Sequence, residues 1–213
     1  MRVPKHIGII PDGNRRWAQN AGLEKKDGYR HGLAPGLEVL RLAREAGVRE
    51  ITYYGFTTDN CGRPKEQVDA FSKACADAVE MIAAEPVSLL VVGNTKASAF
   101  PDALRPYTTR SDLHGGGMRV NFLVNYGWEW DLADLKTPGT NRNEICAELR
   151  SHDISRVDMV IRWGGMRRLS GFLPVQAVYA DFFVVDNLWP DFQANDFYDA
   201  LRWYQKQDVT LGG

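Results

Sequence analysis

The stretch HIGIIPDGNRRWA, residues 6–18, decides the fold of this chain. It begins with the apolar run HIGII, continues with the turn-like residues PDGN, and ends in a segment of helical composition. A short apolar run that stops at a turn is typical of a strand covered on both faces, as in a parallel sheet. The stretch therefore predicts a buried strand over residues 6–10, a polar loop at its carboxyl end, and a helix over residues 14–21.

The same alternation of apolar runs and helical patterns continues along the chain. Further strands are predicted over residues 50–56, 87–93, 119–124, 159–161 and 181–185. Further helices are predicted over residues 32–47, 65–84, 142–151 and 195–207, with Gly47 ending one helix and Asn195 capping another. Residues 133–143 are predicted to be a surface loop. This order predicts an α/β fold: a single domain over residues 1–213 with an open, mostly parallel sheet flanked by helices.

The composition argues against several classes of protein. A net charge of -1 on 213 residues argues against electrostatic binding of nucleic acid as the main role. The three cysteines are widely spaced and form no CxxC pattern, which favours a reducing, cytoplasmic setting over a disulfide framework or a zinc site. No apolar run has the length of a membrane-spanning helix and the first residues do not resemble a signal peptide, so no stable membrane anchor is expected.

Four polar segments follow predicted strands, where open α/β sheets bind their ligands. They are residues 11–16, 57–63, 125–131 and 162–170. In the first, Asp12-Gly-Asn14 is compatible with a simple turn and helix cap. It is also compatible with an anion site, in which Gly13 lets the backbone approach a phosphate and Arg15 and Arg16 donate charge-assisted hydrogen bonds. Because Asp12 repels a bare phosphate, this second interpretation predicts a Mg²⁺ ion between the carboxylate and a diphosphate.

Two later segments offer weaker signals. Thr57, Asn60 and Arg63 either face the same crevice or belong to a loop capped by Asp59 or Asn60. The segment IRWGGMRRLS, residues 161–170, is either a solvated basic loop or a second anion pocket to which Arg162, Arg167, Arg168 and Ser170 contribute. Asp181 follows in or beside a strand, and a lone carboxylate there is costly to bury unless it is paired or binds a metal.

Taken together, these segments resemble the cis-prenyltransferases, the undecaprenyl diphosphate synthase family. The resemblance runs over most of the chain and in one order, through the stretches HIGIIPDGNRRWA, GFTTDN, GRPKEQV, VVGNT, VNYG, VIRWGGMRRLSGF, YADFFVVDNLWPDF and YQKQD. It implies an α/β sheet with a hydrophobic substrate tunnel, a homodimer and a Mg²⁺-dependent prenyl transfer. No DDxxD motif of the all-helical trans-prenyltransferases is present.

The resemblance also implies roles for individual residues. Asp12 corresponds to the Mg²⁺-linked aspartate at the allylic diphosphate, and Asp181 stands in place of a metal-binding glutamate. Asn60 corresponds to a residue implicated in proton removal, with Arg63 beside it. The allylic diphosphate is expected at Gly13, Asn14, Arg15, Arg16, Trp17 and Lys25, and the second diphosphate at Arg162, Arg168 and Ser170. Further substrate contacts are expected from Tyr29, Thr57, Thr58, Asp59, Cys61 and Trp163.

Several positions depart from the family pattern, and most of them fall on the acceptor side. Cys61 stands for a Trp, Tyr29 for a His, Trp163 for a small residue and Met166 for a carboxylate. Trp128-Glu129 replaces Gly-Arg, and Thr210-Leu-Gly212 replaces a C-terminal Arg-x-Gly. The chain also lacks residues around 97–118, where longer members build tunnel-lining helices, so a long polyprenyl product is not expected.

An altered acceptor side beside an intact donor side resembles the small group of lavandulyl and cyclolavandulyl diphosphate synthases. The predicted reaction is therefore the head-to-middle joining of two dimethylallyl diphosphates, with or without cyclisation, and with longer allylic diphosphates as further candidate substrates. Asn60 or a diphosphate oxygen would remove the final proton. Trp163 and Trp128 either shield the cation or simply pack. The alternatives are a regular short-chain synthase that uses isopentenyl diphosphate and a non-catalytic subunit of a heterodimer.

Overall fold

A computed structural model describes residues 2–135 and 141–208, which are arranged around one sheet. Its seven strands are β1 His6–Ile10, β2 Glu50–Tyr54, β3 Val87–Val92, β4 Ser111–Leu113, β5 Met118–Leu123, β6 Met159–Arg162 and β7 Asp181–Val184. They lie in the order β4-β3-β5-β2-β1-β6-β7. All neighbours pair in parallel except β3 and β4, which are antiparallel. The predicted mostly parallel α/β fold is confirmed.

Helices connect the strands and cover the sheet. They are α1 Asn14–Asn20, α2 Gly28–His31, α3 Leu33–Glu45, α4 Lys65–Ala83, α5 Trp128–Leu132, α6 Arg142–Glu148 and α7 Ala194–Tyr204. Short 3-10 segments lie at Lys25–Asp27, Thr58–Gly62, Asp102–Tyr107 and Trp189–Asp191. Among the described residues, no helix is both long enough and apolar enough to cross a bilayer.

The buried side chains divide into two clusters, one on each face of the sheet. Ile7 and Ile9 of β1 belong to a cluster that α3, α4 and α7 complete. Ile10 belongs to the other cluster, which includes Tyr126, Phe172 and Leu173. All five residues of β1 are buried, as a central parallel strand requires. The apolar run that begins at His6 therefore forms an interior strand of the sheet.

Some element predictions need correction. Strand β4 was not predicted, because it has only three residues and no apolar alternation. The helix predicted over residues 142–151 ends at Glu148. Asn195 is not the N-cap of α7: the cap is Gln193, which forms a capping box with Asp196. Part of the predicted loop 133–143 lies outside the described residues, as do Thr210 and Gly212.

The turn after β1 places the polar loop beyond the sheet edge. Gly13 has a φ of 112° and would bring a Cβ within 2.9 Å of a Leu188 methyl group, so this position favours glycine on two grounds. No side chain caps α1, although the Asn14 amide donates to the Pro11 carbonyl at 3.0 Å. The loop is therefore a tight turn whose Asp12 side chain is not used as a helix cap.

Candidate active site

A polar cleft of about 490 Å³ opens at the carboxyl ends of β1, β2 and β6. We use the name polar cleft for this cavity. It collects residues from three of the four segments selected in the sequence, which lie up to 159 positions apart along the chain. The predicted site residues that line it are Asp12, Gly13, Asn14, Arg15, Arg16, Lys25, Tyr29, Thr57, Asp59, Asn60, Arg63, Arg162, Arg168 and Ser170.

The charge of the polar cleft differs from that of the whole chain. Its cationic lining residues are Arg15, Arg16, Lys25, Arg63, Arg162 and Arg168, and its only carboxylates among the lining residues are Asp12 and Asp59. The chain as a whole has a net charge of -1. Such an excess of guanidinium and ammonium groups in one concave site is suited to phosphate oxygens, which accept strong charge-assisted hydrogen bonds.

Asp12 joins the two basic loops of the cleft. Its Oδ2 accepts a hydrogen bond from Arg162 Nη2 at 2.8 Å, and its Oδ1 lies 3.6 Å from Arg16 Nη2. Arg16 also donates to the Gly164 carbonyl at 2.9 Å. Gly164 has a φ of 86°, and a Cβ there would lie 2.5 Å from the Arg16 guanidinium. The two loops thus approach closely because the second one carries glycine at this position.

Arg162 is the most buried cation of the site. Its side chain is 5% exposed, and it donates to the Ser170 hydroxyl at 2.9 Å and to the Arg168 carbonyl. Ser170 itself has a φ of 52°. Arg162 therefore both fixes the Asp12 carboxylate and holds the loop that carries Arg168 and Ser170 at the mouth of the cleft.

The residues present fit a Mg²⁺ ion bound through Asp12 alone. Magnesium is commonly held by one or two carboxylates together with substrate phosphates and water. The Asp12 side chain is one-third exposed and faces the cleft, so its oxygens are accessible to an ion that also touches a diphosphate. Among the described residues, no group of three His, Cys, Asp or Glu side chains is arranged to hold a metal by itself.

Asp181 does not line the polar cleft, and its role as a metal ligand stays a prediction. It begins β7 and pairs with Met159 at the start of β6, whereas Asp12 binds Arg162 at the end of β6. Three strand residues separate these ends by about 10 Å. Asp181 instead lies 3.9 Å from Arg2, and its pKa is raised by partial burial.

The second loop is organised by a reciprocal cap. The Thr57 side chain accepts from the Asn60 backbone, and the Thr57 N–H donates to Asn60 Oδ1 at 3.1 Å. Because a backbone N–H can only donate, the atom that faces it must be the Asn60 carbonyl oxygen. The free end of Asn60 is therefore its NH₂ group, which is a hydrogen-bond donor and not a proton acceptor.

Tyr29, Arg63 and Phe71 form one wall of the polar cleft. Arg63 Nη1 donates to the Tyr29 hydroxyl at 3.0 Å, and the rings of Tyr29 and Phe71 stack with centroids 4.4 Å apart. The Arg63 guanidinium lies 5.6 Å from the centroid of Phe71. Burial raises the pKa of Tyr29, so its hydroxyl stays protonated at neutral pH.

Behind this wall lies a second, apolar pocket of about 70 Å³. Tyr29 and Phe71 line both the apolar pocket and the polar cleft. The remaining walls come mainly from α3, α4 and the aromatic residues Tyr53, Phe122 and Trp189. A polar, cationic chamber thus opens onto a small apolar one, which is the arrangement that a molecule with a diphosphate head and a hydrocarbon tail requires.

Four predicted contact residues do not line the polar cleft. Trp163 is fully buried in the core and packs edge-to-face against Trp189 at 4.8 Å, because the chain after β6 directs it away from the cleft. Trp17 points outward and donates to Asp191 at 2.7 Å. Thr58 packs against Gly127. Cys61 is exposed, and its thiol lies 3.5 Å from the Asn125 amide oxygen.

The sequence interpretation also missed residues that the structure places in the site. Gln19, Tyr54 and Phe71 line the polar cleft, and Trp189 lines the apolar pocket. Tyr54 ends β2 at the same edge as Asp12, so the strand rule would have selected it. Phe71 lies within α4, where an aromatic residue at helical spacing reads as ordinary packing.

The chain is similar to known proteins over almost its whole length. A family model described as a putative undecaprenyl diphosphate synthase matches residues 10–212. The farnesyl-diphosphate-specific ditrans,polycis-undecaprenyl-diphosphate synthase of Yersinia pseudotuberculosis is 31% identical over 100% of this chain and 91% of its own length. Isoprenyl transferase 2 of Streptomyces coelicolor is 34% identical over 98% of this chain and 90% of its own length. Lavandulyl diphosphate synthase from Lavandula x intermedia, solved with dimethylallyl diphosphate, superposes with a TM-score of 0.85 at 22% identity, covering 99% of this chain and 98% of that one.

Proposed function

The chain belongs to the undecaprenyl diphosphate synthase family and is a prenyl diphosphate synthase of the cis-prenyltransferase type, and within that family we propose that it joins two short allylic diphosphates. The proposed substrate is dimethylallyl diphosphate in both roles. The proposed reaction is a head-to-middle condensation to a lavandulyl or cyclolavandulyl-type diphosphate, with the ring formed when the product cation cyclises before it loses a proton.

The difference in size between the two chambers carries this proposal. The polar cleft of about 490 Å³ has cations at the start of α1 and, apart from these, at the end of β6 and in the loop after it, which is room and charge for two diphosphate heads. The apolar pocket has a volume of about 70 Å³, roughly half that of a cavity of about 150 Å³ that admits benzene. A pocket of this size favours a tail of one isoprene unit over a long polyprenyl chain.

The loss of tunnel-building helices supports the same conclusion. Between β3 and β5 the structure describes only the 3-10 segment Asp102–Tyr107 and the short β4, with no α-helix in residues 93–117. The fold is also one in which lavandulyl diphosphate synthase holds dimethylallyl diphosphate. On the acceptor side, Met166 lines the cleft near Arg168 and Ser170 and adds apolar volume beside polar groups.

The first chemical step is the departure of diphosphate from the allylic donor. The allylic C–O bond breaks and its electron pair stays on the diphosphate, whose charge is stabilised by Arg15, Arg16 and Lys25. A Mg²⁺ ion bound at Asp12 would supply further charge stabilisation to this leaving group. Asp12 is held for this role by Arg162 at 2.8 Å.

The second step joins the two C5 units. Arg162, Arg168 and Ser170 would hold the acceptor's diphosphate, so that its double bond lies next to the donor cation and the electron pair of that bond forms the new C–C bond. The resulting cation loses a proton. Because the Asn60 carbonyl oxygen already accepts from Thr57, a diphosphate oxygen is the better acceptor, and the Asn60 NH₂ group donates to that diphosphate.

The test is an incubation with dimethylallyl diphosphate as the only substrate, followed by mass spectrometry of the dephosphorylated products. A branched or cyclic C10 alcohol is expected. A regular synthase, the rival that the undecaprenyl diphosphate synthase relatives favour, needs isopentenyl diphosphate and would give no product in this assay. In a competition with both C5 diphosphates, a preference for isopentenyl diphosphate would reject the proposal. A chain inert with every pair of substrates would instead indicate the non-catalytic subunit.

The altered acceptor side provides a variant for the same assay. Met166→Glu restores the carboxylate of the family at a cleft residue, and we expect it to shift use toward isopentenyl diphosphate. A substitution of Trp163 by a small residue would not serve as a second variant, because Trp163 lies in the core and its replacement would destabilise the fold by about 3–5 kcal/mol. A product ratio that Met166→Glu leaves unchanged would remove Met166 from acceptor selection.

We also propose that the protein acts as a cytoplasmic homodimer. Strand β7 is at the edge of the sheet and all four of its residues are half-buried, while Val178 and Tyr179 beside it are each 59% exposed. An apolar edge of this kind favours association with a second copy. The three cysteines are free thiols, which supports a reducing compartment. Sedimentation equilibrium would test the dimer, and a monomer at micromolar concentration would reject it.

A further inference from the structure

The loop of residues 168–171 contains a backbone conformation that must be held by its surroundings. Ser170 has a φ of 52° and Gly171 a φ of 80°, so both lie in the left-handed region. This conformation is uncommon for a residue other than glycine, and it persists only where neighbouring groups hold it. Residues held in this way cluster at ligand sites, and Ser170 lines the polar cleft. The contacts that hold Ser170 therefore bear on what the loop binds.

Two side chains from different strands hold Ser170. Arg162, at the end of β6, donates to the Ser170 hydroxyl oxygen at 2.9 Å. Tyr54, at the end of β2, donates from its hydroxyl to the Ser170 carbonyl oxygen at 2.7 Å. Because an arginine can only donate, the hydrogen of the Ser170 hydroxyl is left over, and among the described residues it meets no acceptor. Ser170 therefore offers one hydrogen-bond donor to a ligand in the polar cleft.

The Tyr54 side chain is itself fixed in place. It is 7% exposed, and its ring packs edge-on against Phe172 and Tyr126, with ring centroids 5.4 Å and 6.3 Å away. Burial raises the pKa of Tyr54, and the carboxylates of Asp59 and Glu129 act in the same direction. The Tyr54 hydroxyl therefore keeps its proton at neutral pH and remains a donor to the loop.

We propose that Tyr54 is a positioning residue of the acceptor side, whose hydroxyl holds the Ser170 carbonyl and thereby aims the Ser170 hydroxyl at the diphosphate of the acceptor substrate. The proposal rests on the proposed function in one respect, namely that this diphosphate lies at Arg162, Arg168 and Ser170. Without the Tyr54 hydroxyl, the Ser170 backbone loses a contact that opposes its relaxation out of the left-handed region. The effect falls on the diphosphate head and is therefore independent of the hydrocarbon part of the acceptor.

The experiment measures the binding of each diphosphate in Tyr54→Phe, which removes the hydroxyl and keeps the packed ring. Dimethylallyl thiolodiphosphate, which ionises slowly, is titrated calorimetrically with Mg²⁺, and two binding steps are expected. Arg15→Ala identifies the donor step and Arg168→Ala the acceptor step, because each should weaken its own step. In Tyr54→Phe we expect the Kd of the acceptor step to rise roughly 5–10-fold and that of the donor step to stay within about 2-fold.

A second probe separates the positioning of the head from the choice of acceptor. Isopentenyl diphosphate is not allylic and cannot act as donor, so it competes for the acceptor step. Tyr54→Phe should weaken it by the same factor as the dimethylallyl analogue. An enzyme that uses only isopentenyl diphosphate in turnover would contradict the proposed function and leave this factor unchanged, so the two failures are distinguishable.

Matched variants separate positioning from general loosening of the fold. Tyr126→Phe removes another buried tyrosine hydroxyl, which donates to Asp131 at 2.7 Å, and Tyr126 does not line the polar cleft. Its stability to urea should fall while both binding steps stay within about 2-fold. Ser170→Ala should weaken the acceptor step on the order of 10-fold or more. Adding Tyr54→Phe to Ser170→Ala should change the acceptor step by no more than about 2-fold, because the hydroxyl to be aimed is absent.

Three results would overturn the proposal. One is a folded Tyr54→Phe protein with the native Kd at the acceptor step, and another is an equal effect of Tyr126→Phe on that step. The third is full additivity of Tyr54→Phe and Ser170→Ala, which would show that Tyr54 does not act through Ser170. If Tyr54→Phe does not fold, Gly171→Ala disturbs the same contact from the loop side, since its Cβ would lie 3.3 Å from the Tyr54 hydroxyl oxygen. A native acceptor step in that variant would equally reject the proposal.

Discussion

The two ends of the β-sheet both collect charged residues, but they organise them in opposite ways. At the carboxyl ends of the strands, six cations and two carboxylates line an open cleft. At the amino ends of β1, β2 and β5, charged and polar groups form a closed network in which cations and carboxylates contact each other directly. Residues His6, Glu50 and Arg119 lie side by side there through the strand register.

Glu50 is the centre of the closed network. Its Oε1 accepts from the Asn121 amide at 2.8 Å and from the Ser155 N–H at 3.3 Å, and its Oε2 lies 3.3 Å from Arg119. Asn121 also donates to the Thr52 hydroxyl at 2.8 Å. Thr52 in turn lies 2.8 Å from His6 Nε2. One oxygen of the buried carboxylate thus accepts two hydrogen bonds, and the other lies beside a cation.

This difference indicates that the two ends of the sheet have different roles. A buried charge that is fully paired costs little and fixes the relative positions of the strands, but it has no free donor for a ligand. An excess of cations in an open cleft raises the energy of the empty site and lowers that of the complex with an anion. We therefore expect substitutions at the closed network to change stability, and substitutions in the polar cleft to change catalysis.

The strongest test of this contrast is Glu50→Ala. It removes the acceptor of the Ser155 N–H, one of the two acceptors of the Asn121 amide and one of the two carboxylates beside Arg119. The expected loss is about 3–5 kcal/mol in the free energy of unfolding. Urea denaturation measures it. Glu50→Gln, which retains one acceptor oxygen, should lose less. Activity per folded molecule should not change in either variant, and a stable but inactive Glu50→Ala protein would contradict the contrast.

Asp12→Ala should have the largest effect on catalysis. We expect kcat to fall by about 10²–10³-fold, because the leaving diphosphate loses the carboxylate that organises its charge neutralisation. Asp12→Asn keeps the size and the contact to Arg162 and should be as inactive as the alanine variant, which would assign the effect to charge. Activity within a few-fold of the native enzyme would reject Asp12 as the metal-linked residue.

Two adjacent arginines provide a smaller, internally matched comparison. Both are exposed, but Arg168 lines the polar cleft and Arg167 does not. Arg168→Ala should raise the KM of the acceptor substrate by roughly 10–100-fold, the value of a charge-assisted hydrogen bond of about 1.5–3 kcal/mol. Arg167→Ala should stay within about 2-fold. Equal effects of the two substitutions would show that the loop contributes only diffuse charge.

The smallest expected effect is a pH dependence at the closed network. Burial lowers the pKa of His6, although Glu50 and Asp158 act in the opposite direction. The folded protein therefore takes up this proton less readily than the unfolded chain. The His6 contribution to stability is complete above the ordinary histidine pKa of about 6.5 and is lost as the pH falls below it. His6→Gln should flatten the unfolding free energy between pH 7 and 5, and an unchanged slope would exclude His6.

The sequence predicted most of the sheet because its strands are apolar runs that stop at turn residues. Strand β1 was predicted at its observed bounds, and β6 and β7 within one residue. Strand β4 was not predicted because Ser111–Leu113 is defined by its pairing with β3, and this long-range contact leaves no local sequence pattern. The end of α6 was predicted wrongly for a similar reason. The chain leaves the helix before Ser151, whose N–H and hydroxyl donate to the distant Asp131.

The site residues likewise divide into those that the sequence predicted and those that it did not. Polar residues directly after strands were found, because position relative to the sheet edge is readable from the order of elements. The direction in which each side chain points could not be predicted from the order of elements. Trp163 follows Arg162 immediately, yet one side chain is in the core and the other in the cleft, since consecutive residues of an extended segment point to opposite faces. The wall of Tyr29 and Phe71 joins two helices and depends on how α2 packs on α4.

The central place of β1 in the sheet also has a consequence for synthesis. One edge of β1 is paired by β2 soon after it emerges from the ribosome, but its other edge pairs with β6, which begins at Met159. The carbonyls of His6 and Ile10 accept from the N–H groups of Asp158 and Trp163 on that edge. At roughly 5–20 residues per second, these carbonyls wait on the order of ten seconds for their partners. During this interval the nascent chain exposes an apolar strand edge, so translation that stalls before β6 should yield fragments that aggregate or recruit chaperones.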